Sequence, residues 1–146
     1  MLKDDLKVLQ ASSAVYSIKA SGFHWNIEGS NFPQYHAFLG DLYADVYGTI
    51  DTIAEYIRAL DSYAPGSLTR YSELSAIQDQ IKIPRAELMF EELMQDTDIL
   101  IQCIMTAFMS ATQENQQGIA NFLSERQAIM QKHQWMMRSI LKKDRQ

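Results

Sequence analysis

His24-Trp25-Asn26, followed by His36 and then by Asp51-Thr52-Ile53-Ala54-Glu55, is the stretch on which the rest of the sequence turns. It gathers two imidazoles and two carboxylates in a chain with a single cysteine, and nitrogen with carboxylate oxygen is a donor set for borderline or redox-active metals such as iron. His36 and Asp51 lie fifteen residues apart on what reads as one helix. That is roughly 22 Å at about 1.5 Å per residue, too far to hold the same ion within one chain. At about 100° per residue, however, His36, Asp51 and Glu55 fall within an arc of about 100° and point from one helix face. For them to share a metal, two copies of that helix must meet antiparallel, which predicts a site assembled across a twofold axis.

Outward from this stretch the chain divides into helices. Before it, Leu2, Leu6, Leu9, Val15, Tyr16 and Ile18 form an imperfect stripe in a first helix that ends near residues 22–29, placing His24 close to its end. Asn31 can cap a second helix whose first turn tolerates Pro33, and Leu39, Leu42, Tyr43, Val46, Ile50, Ile53, Ile57 and Leu60 then recur at helical steps. Pro65-Gly66 stops it, and residues 67–77 are long enough for only one or two helical turns. Pro84 suits the start of a third helix running through Leu88, Leu93, Leu100, Ile104 and Phe108 to about Gln113. After the polar break at residues 113–118, a fourth helix runs through Ile119, Phe122, Leu123, Met130, Met137 and Leu141 into a charged tail. Four helices with one long connector predict an all-α four-helix bundle with a crossover between the second and third.

Composition sets the outer limits. The 146 residues suit a single domain, 1–146, and 47% hydrophobic residues with three prolines suit a packed helical core. Cys103 alone can form no internal disulfide or cysteine-based zinc site, and fits a reducing cytoplasmic setting. The acidic start Met1-Leu2-Lys3-Asp4-Asp5 lacks the basic and apolar regions of a secretory signal, and no stretch is apolar enough to span a membrane. A net charge of −5 argues against a broadly basic face for nucleic acid and agrees better with attraction of cations.

This order of motifs resembles the Dps family, small ferritin-like proteins that assemble as hollow dodecamers and oxidise and store iron. The resemblance spans nearly the whole chain. It rests first on His24-Trp25-Asn26 with Gly29-Ser30-Asn31-Phe32, His36 and Asp51-x-x-x-Glu55. Ala64-Pro65-Gly66-Ser67-Leu68, Ala120-Asn121-Phe122-Leu123 and His133-Gln134-Trp135-Met136 add to it. It implies a ferritin-like bundle with a short helix in the long connector. It also implies a ferroxidase site at a twofold interface, where His24 and His36 of one subunit face Asp51 and Glu55 of the other. Two positions depart from the family pattern. Gly40 stands where another acidic ligand is usual, and Asp41 lies about 140° around the helix from His36 against about 40° for Gly40. Gln116 and Gln117 stand where acidic residues often line threefold entry pores, leaving Glu114 and Glu125 as nearby candidates.

Each residue has a plainer explanation to set beside this. A histidine beside a tryptophan at a helix end commonly packs, and an acidic i,i+4 pair is commonly a solvated face; it is the joint spacing that favours a metal. Trp25, Trp135 and the methionines Met94, Met105, Met109, Met130, Met136 and Met137 read as packing residues. His133 has no acidic partner one turn before it, and no Glu-x-x-His occurs, so the di-iron signature built within one bundle is absent from the sequence. For DNA, the cluster Lys142, Lys143 and Arg145 around Asp144 is the sole candidate, and an ordinary solvated helix end is the expected role. The expected activity is therefore oxidation of Fe(II), by hydrogen peroxide in preference to oxygen, with storage of Fe(III) in a homo-oligomeric cage and protection from oxidative damage. The competing expectation is a cage with weakened or lost ferroxidase activity, serving as a metal-binding, DNA-associated or structural particle.

Overall fold

Four rods of helix pack side by side, and the sequence of each shows why. The computed structural model describes residues 1–143; of the basic tail, Asp144, Arg145 and Gln146 lie outside the described residues. Helix α1 (Leu2–Asn26) is the first rod. The second is formed by α2 (Phe32–Tyr47) and α3 (Ile50–Ala59). The short α4 (Leu68–Leu74) lies in the connector, and α5 (Ala86–Gln113) and α6 (Gln117–Leu141) complete the bundle. Among the described residues all helix and strand structure is helical, as the all-α expectation requires. None of the helices among these residues is long and apolar enough to cross a membrane.

The imperfect stripe of α1 has a physical reason. Every residue from 9 to 17 is buried, so this helix has no solvent face along its middle. Ala11, Ser12, Ser13, Ala14 and Ser17 keep it thin enough for neighbours on all sides, and Ser17 returns its hydroxyl to the Ser13 carbonyl at 2.7 Å. A helix enclosed all round needs no amphipathic pattern. It packs on α2, α3, α4 and α5, with Tyr16, Phe23, Leu39, Leu42, Ile53, Phe90 and Leu93 meeting in the core. Each such side chain stabilises the fold by about 1.5–3 kcal/mol relative to exposure.

Polar ties fix the connector and the bundle seams. Gln10 donates to the Pro65 carbonyl at 2.8 Å and to the Tyr71 hydroxyl at 3.0 Å, while Ser12 Oγ accepts from the Ala76 amide. The buried Lys19 ammonium joins α1 to α5 through Asp96 at 2.7 Å and Glu92 at 2.9 Å. Burial pushes the Asp96 carboxyl up, against the pull of its hydrogen bond from Lys19. At the ends of two helices, Asp61 (φ 61°) and Asn115 (φ 59°) take the left-handed conformation that closes a helix C-terminus, a role Asx side chains tolerate.

Three expectations are corrected. The second helix is not continuous. At Gly48 and Thr49 both residues keep right-handed angles, but the Thr49 amide and hydroxyl both turn back to the Val46 carbonyl, at 3.1 and 2.7 Å. This i to i−3 bond is a 3₁₀-like turn, so the single-helix spacing of His36, Asp51 and Glu55 does not carry across it. Second, Met105, Met109 and Met136 are exposed, as are Trp25 and Trp135; they lie on faces of α1, α5 and α6 turned away from the core. Third, α5 begins at Ala86, two residues beyond Pro84, with Arg85 as its cap.

Candidate metal centre

His24 stands in the last turn of α1 and His36 in the first turns of α2. Between them the chain reverses through Gly29, whose φ of 126° is open to glycine and strained for other residues. The two histidines cross-link the reversal. His24 Nδ1 contacts the His36 carbonyl at 2.6 Å, and His36 Nδ1 contacts the His24 carbonyl at 2.7 Å. A carbonyl oxygen only accepts, so each Nδ1 carries a proton and donates it, leaving each Nε2 with its lone pair when the ring is neutral. Backbone anchoring of one imidazole nitrogen is how metal-ligating histidines are commonly oriented. The rings stack at 3.8 Å between centroids and 11° between planes, and Phe32 stacks on the outer face of His36 at 4.9 Å.

Gly40 belongs to the same arrangement. A Cβ at this position would lie 2.9 Å from His24 Cε1 and 3.2 Å from Nδ1. The imidazole therefore occupies the volume that a side chain at position 40 would need. Asp41 is exposed, and α2 stays helical through Tyr47, so the irregularity at Gly48 comes too late to swing Asp41 towards the histidines.

Asp51 and Glu55 are exposed on α3, opposite the buried Ile53 and Ile57 that seat the helix in the core. Among the described residues, no three His, Cys, Asp or Glu groups converge closely enough to hold a metal ion. The chain thus presents an imidazole pair in one place and a carboxylate pair in another. Their combined donor set suits iron.

Other charged residues fall into roles that spacing did not reveal. Asp45, in the last turns of α2, accepts both arms of the Arg126 guanidinium at 2.9 Å each, and its Oδ2 also contacts His133 Nε2 at 2.9 Å. Burial opposes ionisation of Asp45, but hydrogen bonds from His133 and Arg126 outweigh it and hold the carboxyl well below the usual carboxylate range. His133 therefore has an acidic partner across the bundle, where sequence found none one turn away. Glu114 accepts the Leu2 amide proton at 2.8 Å, closing the uncapped start of α1. Burial pushes the Cys103 thiol up, away from a reactive thiolate.

Comparison with known proteins gives a consistent result. A family model described as a ferritin-like domain matches residues 3–146. DNA protection during starvation protein 2 of Bacillus anthracis is 28% identical over 144 residues, covering 97% of this chain and 99% of its own. The crystal structure of Dps from Staphylococcus aureus has a TM-score of 0.93 at 29% identity, over 98% of this chain and 96% of its own. Dps from Vibrio cholerae O1, described as a member of a broad superfamily of ferritin-like diiron-carboxylate proteins, has a TM-score of 0.92 at 26% identity, over 97% of this chain and 89% of its own.

Proposed function

Because the chain belongs to the ferritin-like family, and within it to the Dps proteins, we propose that it oxidises Fe(II) at sites shared between two subunits and stores the Fe(III) inside a dodecameric cage. The carrying observation is the crossed pair of His24 and His36. Their Nδ1 protons are committed to backbone carbonyls, which frees two imidazole lone pairs for a metal, while the carboxylates Asp51 and Glu55 stand apart in the same chain. A second copy placed antiparallel would bring its Asp51 and Glu55 to these imidazoles.

Iron is the substrate. The imidazoles bind Fe(II) and the carboxylates favour the ferric product. With hydrogen peroxide, two Fe(II) each give up one electron, the O–O bond breaks, and two hydroxides and two Fe(III) result. Both Fe(II) and peroxide, the pair that generates damaging radicals, are consumed together, so iron storage and protection are one reaction in a cytoplasmic setting. The net charge of −5 opposes contact with a polyanion, and DNA has no part in this proposal.

The test uses the purified metal-free assembly, mixed anaerobically with Fe(II) and then given stoichiometric hydrogen peroxide. Wild type should raise ferric absorbance rapidly. Asp51→Asn/Glu55→Gln should assemble normally and oxidise slowly, and equal rapid traces would remove the site. Gly40 favours a second reading, in which the cage binds metal but has lost fast oxidation because one acidic ligand is missing; equal slow traces would support it.

A further inference from the structure

The second rod is irregular in one place, immediately before the helix that carries Asp51 and Glu55, and a half-buried ionic cluster stands beside it. At the Gly48–Thr49 turn the Gly48 amide keeps its helical bond to Ala44, while the Thr49 amide and hydroxyl go to Val46 in place of the carbonyl four residues back. A 3₁₀-like turn leaves the rotation of the following helix less firmly set than a continuous ladder does. Asp45 lies just before this turn and takes the Arg126 guanidinium in a two-armed fork, with His133 on the same carboxylate. Arg126 is only 8% exposed, and it borders the same small interior space as Val46, Thr49 and Ile53. It therefore bonds the rod before the irregularity and faces the same small space as Ile53 after it.

We propose that the Asp45–Arg126–His133 cluster is the positioning device for the metal-binding carboxylates: it anchors the end of α2 on α6 and so sets the rotation at which α3 presents Asp51 and Glu55. This rests on the interfacial site proposed above. A planar guanidinium fork fixes orientation as well as distance, which a point charge does not. The cluster joins α2 to α6, and the neighbouring ring contact of Tyr56 on Phe122 seats α3 from the same side of α6. Asp45, Arg126 and His133 are positioning residues and touch no iron themselves.

The experiment measures anaerobic Fe(II) binding to the full assembly by calorimetry, with light scattering and circular dichroism to follow oligomer size and helix content. Arg126→Lys keeps the charge and loses the fork. It should raise the half-saturating Fe(II) concentration by about tenfold, in the range seen when groups that orient metal ligands are removed, with assembly and helix content unchanged. If Arg126→Lys fails to fold, His133 carries the test. His133→Ala should weaken binding, and His133→Gln, whose amide can still donate to Asp45, should restore it. Wild-type affinity in folded Arg126→Lys and in His133→Ala overturns the positioning role. Asp51→Asn/Glu55→Gln is measured alongside. If that variant binds Fe(II) as tightly as wild type, the interfacial site itself fails, an outcome distinct from failure of the cluster alone.

Discussion

At the scale of single residues, Gly40 and His24 behave as one unit. The imidazole lies against the glycine Cα, so adding one methyl group forces a contact of 2.9 Å with Cε1. Gly40→Ala should push His24 out of its stack on His36 and cost about 1–3 kcal/mol of stability through overpacking. Calorimetry should show Fe(II) affinity weakened several-fold, and a thermal melt should show the lower stability; an Ala variant with unchanged affinity would mean that His24 does not bind metal from this position. The sequence made the spacing of His24 and His36 legible, because it is local. The crossed hydrogen bonds were not legible, since they depend on the angle at which α1 and α2 meet. For the same reason Asp45, Arg126 and His133 left no trace in a pattern read along one helix: their partners are 81 and 88 residues away.

At the scale of elements, breakers and periodicity located the rods well, through Pro65-Gly66, Pro84 and the apolar steps of α2, α5 and α6. They missed the split between α2 and α3 because Val46, Ile50 and Ile53 carry the stripe across Gly48 without interruption. The charge cluster beside that split has a pH signature. In the unfolded chain Asp45 titrates at its ordinary value, and in the fold well below it, since hydrogen bonds from His133 and Arg126 overcome burial. Its stabilisation is fully present above the ordinary value and is lost as pH falls through the depressed one. Melting temperatures of the wild type should fall steeply between about pH 5 and pH 2, and those of Asp45→Asn, lower at neutral pH, should fall less. Parallel slopes would assign acid sensitivity to other carboxylates.

At the scale of the whole molecule, a single chain leaves Ile18, Trp25, Leu68 and Met109 more than half exposed, an apolar burden that association would relieve. Light scattering should give a particle of about 200 kDa for twelve 16.8 kDa chains. A stable monomer would leave the carboxylates without their imidazoles and end the proposed mechanism. The contact between Glu114 and the Leu2 amide adds a constraint in time. During synthesis the first helix leaves the ribosome long before the residue that closes its end, and its enclosed middle has nothing yet to lie against. Only once α5 and its cap Glu114 are made can the start of α1 be closed in this way. A nascent chain arrested before Glu114 should therefore hold its first segment open to chaperones, however strong its later partners prove to be.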